Sequence, residues 1–113
     1  RELLARANPK ARSILETIAR YELEEAGAVP DVAVEVPIGE LDLTLGFLAI
    51  EPDGYAFHSS LADWTRDHHR DQWLLLHGMI PLHLTAQQVL AHRTVEIVRP
   101  IAERLGCWPA DAR

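Results

Sequence analysis

Two periodicities follow one another along this chain, and their order sets out its elements. Asn8-Pro9 supplies an N-cap acceptor and then a proline at the first helical position. Ile14, Leu15, Ile18 and Tyr21 recur on one face at helical spacing, and Gly27 offers a stop, so a first helix is predicted over about Lys10 to Ala26. After Val29-Pro30 the period falls to two. Val32, Val34 and Val36 alternate with Ala33 and Glu35 in a first strand. Leu41, Leu43 and Leu45 alternate with Asp42 and Thr44 in a second, and Phe47 to Glu51 makes a third. Little more than Gly46 separates the last two, so a tight hairpin is the economical link.

Asp53-Gly54 ends the third strand. Ser60-Leu61-Ala62-Asp63 resembles a capping box with Asp in the place of Glu, opening a second helix that runs to about His77 and stops at Gly78. Ile80, Leu82 and Leu84 then alternate with Met79, Pro81 and His83 in a fourth strand, where Pro81 must sit so that its missing N–H is harmless. Thr85 caps a short turn. Thr94 to Leu105 forms the final helix, which Pro100 is expected to kink or divide. The order α-β-β-β-α-β-α predicts an α/β (α+β) domain, a four-stranded mixed sheet flanked by helices.

The hairpin carries the candidate chemistry. A two-residue turn at Gly46-Phe47 pairs Leu45 with Leu48 and brings Asp42 opposite Glu51. Leu41, Leu43, Leu45, Leu48 and Ile50 then share a core face, and Asp42, Thr44, Ala49 and Glu51 share the other. Facing carboxylates have Cβ atoms about 5 Å apart and repel. Either that face is the wet side of a half-covered sheet, or the repulsion is relieved by a proton or a cation. Mg²⁺ or Mn²⁺ suits hard oxygen ligands, and Mg²⁺ commonly takes only one or two protein carboxylates with water and phosphate. Asp53 points to the same side if the strand persists that far.

Composition sets limits on this picture. With 113 residues and no internal boundary, the chain reads as one domain that needs no disulfide. Cys107 has no partner for an internal bridge, which fits a reducing compartment. No apolar run approaches the ~20 residues of a membrane span, so no membrane partner is expected. The chain opens with Arg1-Glu2 without an initiator methionine and reads as an excised C-terminal part of a longer protein. Net charge is −6, which lacks the basic footprint of a stand-alone nucleic-acid binder. Metal-site carboxylates would account for part of that charge, and the remainder of the parent chain would supply further binding. No G-x-S-x-G, P-loop or dinucleotide fingerprint occurs.

Five segments in order resemble a known family. Ser13-Ile14-Leu15-Glu16 with Arg20 is similar to its S-x-x-E-x-x-x-R helix, and Gly39-Glu40-Leu41-Asp42 to its G-x-x-D strand. Glu51-Pro52-Asp53-Gly54 followed by His58 is similar to its E-x-D-G strand end, and Arg66-Asp67 with Arg70-Asp71 to its R-D-x-x-R-D helix. Gly78 to Thr85 matches part of its last strand. The family is the Vsr-like branch, "domain of unknown function 559", of the PD-(D/E)xK restriction-endonuclease-like superfamily, and the resemblance spans Arg12 to Leu105. It implies an αβββαβ core and a metal-dependent DNA endonuclease, cytoplasmic and nucleoid-associated in a bacterium. Asp42, Glu51 and Glu16 would hold Mg²⁺ or Mn²⁺. Asp53 stands where the class lysine often stands, and His58 would relay a proton or ligate. Arg66, Arg70 and Arg20 would meet DNA phosphate. Met79, Pro81 and His83 depart from the family's last strand and remove one arginine contact.

Plainer readings stand beside these. Glu16 and Arg20 are an i,i+4 pair of the kind that laces exposed helices. Arg66 and Arg70 beside Asp67 and Asp71 describe a solvated helix face equally well, and His58 could cap or stack near the start of helix 2. His68, His69 and His77 lack zinc spacing, and Trp64, Trp73 and Trp108 read as packing residues. The alternative function is a catalytically degenerate nuclease-fold module serving DNA binding or regulation in a larger, antitoxin-like protein.

Overall fold

The computed structural model describes residues 9–52 and 61–111, without the side chains of residues 9–12 and 63. The elements are α1 (Pro9–Glu25), β1 (Asp31–Val36), β2 (Gly39–Leu45), β3 (Leu48–Glu51), α2 (Leu61–Leu76), β4 (Ile80–His83), α3 (Ala86–Leu90) and α4 (Thr94–Leu105). The expected Asn8 cap, Asp53, His58 and the Ser60 start of helix 2 lie outside the described residues. No described helix is long and apolar enough to cross a membrane.

The four strands form one mixed sheet in the order β1-β2-β3-β4. β1 and β2 are antiparallel, as are β2 and β3, whereas β4 returns through α2 to lie parallel to β3. Leu45 pairs with Leu48, so the hairpin turn is Gly46-Phe47 as its sequence predicts. Gly46 takes a left-handed φ of +58°, a conformation that a side chain disfavours. At the end of α2, Met79 N–H bonds Leu74 O at 2.8 Å and Gly78 N–H bonds Leu75 O at 3.2 Å, the two closures of a Schellman motif around Gly78 at φ +82°. Gly27 and Gly106 end α1 and α4 in the same way.

Pro81 sits where its ring does no harm. Ile80 N–H reaches Phe47 O at 2.9 Å and Leu84 N–H reaches Glu51 O at 3.0 Å, so the even-numbered residues donate to β3. The position of Pro81 therefore faces away from the ladder, on the outermost strand. Thr85 is a full capping box: its Oγ1 accepts from Gln88 N–H, and its own N–H donates to Gln88 Oε1. Pro100 does not divide the last helix, which runs unbroken from Thr94 to Leu105.

Both faces of the sheet are covered, which corrects the wet-face reading. One face carries the larger core, where Leu15, Ala19 and Leu23 of α1 and Val98 and Ala102 of α4 pack on Leu43, Leu45, Leu48 and Ile50. The other carries Leu41, Ala49 and Leu74, with Val34, Val36, Ile38, Trp73 and Met79 against them. Asp42, Thr44 and Glu51 are all buried.

Two apolar stripes differ from expectation. Ile14 and Tyr21 are exposed, and α1 buries Leu15, Ala19 and Leu23, an i, i+4, i+8 row to one side of the expected stripe. Leu41 leaves the face of Leu43 and Leu45 for the α2 side. The alternation breaks at Asp42 and Ala33: the β1–β2 pairs Val32↔Leu43 and Val34↔Leu41 run on either side of them, and Ala33 holds a left-handed φ of 53°.

Candidate functional site

The break in alternation is where the acidic residues gather. β2 and β3 hold Asp42 across from Glu51, in line with the register Leu43↔Ile50 and Thr44↔Ala49. The Asp42 N–H donates to Glu51 Oε2 at 3.0 Å. Glu51 Oε1 forms an ion pair with Arg70 Nη1 of α2. Arg70 Nη2 also donates to the backbone carbonyl of Glu40 at 2.9 Å. One guanidinium thus ties α2 to both strands of the hairpin.

Glu51 is 1% exposed, and that burial governs its titration. Removal from water, and then the negative charge of Asp42, raise its pKa above the ordinary carboxylate range. Arg70 and the Asp42 N–H oppose the shift without cancelling it.

Glu16 reaches the same neighbourhood from α1. Ser13, Glu16, Thr17 and Arg20 face Glu40 and Asp42 across a cleft of about 210 Å³, whose floor includes Val32, Ala33 and Leu43. The cleft therefore joins three carboxylates, two hydroxyls and one guanidinium. Arg20 also bonds Glu24 at 3.0 Å along its own helix.

Of the residues singled out in the sequence, Glu16, Asp42 and Arg20 share this cleft, and Glu51 lies against the backbone of Asp42 with its carboxylate turned to Arg70. Among the described residues, no three of His, Cys, Asp and Glu are grouped as a metal cage. Arg70 is engaged by Glu51 and Glu40 rather than displayed at the surface. Arg66 and Arg70 together line a different groove of about 660 Å³ with Ile38, Leu61 and His69.

Two features went unread in the sequence. Glu40 belongs to the cleft, and its i,i+2 spacing to Asp42 was the available signal. Asp71, next to Arg70, pairs with His83 Nε2 at 3.0 Å. Glu51 and His83 face each other in the β3–β4 register, so adjacent residues of α2 meet adjacent strands with complementary partners. Comparison with protein-family models, curated proteins and solved structures found no match.

Proposed function

We propose that this chain is a metal-dependent DNA endonuclease domain with a restriction-endonuclease-like core, acting through the cleft between α1 and β2. The observation that carries the reading is the sharing of one cleft by Glu16 and Asp42, carboxylates from separate elements, beside the buried Glu51. Their donors are hard oxygens, which fit Mg²⁺ or Mn²⁺, and Mg²⁺ needs only one or two such ligands with water and phosphate. Glu16 and Asp42 would hold the ion. A bound divalent cation makes a water acidic at neutral pH and steadies charge on a phosphoryl oxygen. Arg20 is the cleft's own cation and meets a DNA phosphate there. Glu51 fixes the backbone of Asp42 from behind.

The test is a calorimetric Mn²⁺ titration of the domain and of Asp42→Ala, with cleavage assays on nicked, mismatched and single-stranded DNA. Binding and cleavage that both vanish in Asp42→Ala support the reading. Metal binding without cleavage of any of these DNAs removes the enzyme and leaves a cation site.

A second reading has its own observation. The Arg70–Glu51 ion pair already supplies a positive charge to one of the family's metal carboxylates, as expected of a nuclease-fold module that binds or regulates without turnover. Absence of Mn²⁺ binding in the wild-type domain favours this second reading.

A further inference from the structure

Independently of the metal reading above, we infer that the outer face of α2 is the docking surface for a second copy of this chain, with the two α2 helices side by side and parallel. α2 rests on the sheet through Leu74 and Trp73, and Arg70 and Asp71 reach the strands from the same side. The opposite side carries Leu61, Trp64, His68, Gln72, Leu75 and Leu76, all of them exposed. At roughly 100° per residue these six fall within about 120° of one another. Leu61 is 77% exposed and Leu76 81%, so the stripe is apolar at both ends of the helix. Trp64, expected as a packing residue, is half exposed. His68 Nδ1 donates to the Trp64 carbonyl at 2.8 Å, and its ring lies against the indole with centroids 3.8 Å apart. The pair forms a fixed aromatic knob, the kind of group that anchors protein interfaces at little cost in freedom. Leu61, His68 and Leu75 recur every seven residues, the spacing at which two helices keep one seam in contact.

The charges beside the stripe select the occupant. Asp67 and Asp71 run along one border, and Arg66 and His69 along the other. A two-fold axis along the helices sets each acidic border against the basic border of the second copy. An antiparallel pair would set acid against acid. Asp71 keeps its carboxylate part-exposed while it bonds His83. The face is therefore complementary to itself, as a two-fold contact requires. An anionic membrane would instead meet a chain of net charge −6. Pairing by strand addition is opposed at the sheet margins by Pro81 and by the reversed backbone of Ala33.

Sedimentation equilibrium from about 1 to 500 μM protein tests this, and wild type should dimerise with a Kd of about 10–100 μM. Leu61→Gln and Leu76→Glu should each weaken the dimer by about tenfold, whereas Leu90→Glu, an exposed leucine of α3, should stay within about twofold of wild type. Arg66→Asp should weaken it, and the exchange Arg66→Asp/Asp67→Arg should recover it. In a Cys107→Ser background treated with oxidised glutathione, Leu61→Cys and Leu75→Cys should each give a disulfide-linked dimer. A monomer at every concentration overturns the inference, and so does a dimer indifferent to Leu61→Gln and Leu76→Glu. A cross-link that forms only when Leu61→Cys is mixed with Leu75→Cys reports an antiparallel pair and also overturns it. Circular dichroism checks that each variant is folded, and Leu75→Gln replaces any variant of the stripe that is not.

Discussion

The backbone N–H of Asp42 donates to Oε2 of Glu51 at 3.0 Å, so these facing residues are joined through a buried side chain. The hairpin and the acidic site are consequently one structure. A change in the charge of Glu51 is felt by the strand that carries Asp42.

Glu51→Gln should change how stability depends on pH. Burial and the charge of Asp42 raise the pKa of Glu51 in the folded state. The stabilisation linked to its protonation is full below the unfolded value of about 4.3 and is lost as pH rises through the folded value. Wild type should therefore lose stability relative to Glu51→Gln as pH increases from about 4.3. Urea melts of both proteins across this range, in metal-free buffer, check the sign. Wild-type stability that stays level with that of Glu51→Gln, or gains on it, as pH rises would count against the raised value.

Arg70→Met should destabilise the domain by about 3 kcal/mol or more, because it leaves a buried carboxylate without its cation. Arg70→Met combined with Glu51→Leu should cost less than Arg70→Met alone, since no unpaired charge remains. Equilibrium denaturation of the two variants reads the difference.

Leu41→Ala tests the covered second face of the sheet. Leu41 is fully buried against Ala49 and Leu74, so its truncation should cost about 2–5 kcal/mol. Ile14→Ala, on the exposed side of α1, should stay within about 0.5 kcal/mol of wild type. Equal losses would contradict the burial described for either position.

Thr85→Ala should cost about 1 kcal/mol, because it removes the oxygen that caps α3. Thr85→Gly should lose only a few tenths. Thermal melts of the pair separate loss of the cap from a general disturbance of the β4–α3 junction.

The local signals in the sequence carried much of the fold. Gly46 with flanking leucines specified the hairpin and its register, and glycines 27 and 78 marked helix ends that close as expected. The facing of Asp42 and Glu51 followed from that register alone. Burial was harder to read, because it depends on what covers each face. Strict alternation placed Leu41 with Leu43, but the left-handed Ala33 and the departure of the Asp42 N–H from the ladder interrupt it. Arg70 looked like a surface residue because its partners, Glu51 and Glu40, are 19 and 30 positions away. No periodicity encodes such a contact.

Pro81 and Ala33 bear on how this protein behaves in a crowd of its own copies. They interrupt the two margins of the described sheet, β4 and β1, by a missing donor on one side and a reversed backbone on the other. Open strand edges invite neighbouring chains to add on and build aggregates. Here neither margin presents an unbroken row of donors and acceptors, so the hairpin that holds the acidic residues lies inside a sheet protected against growth at both ends.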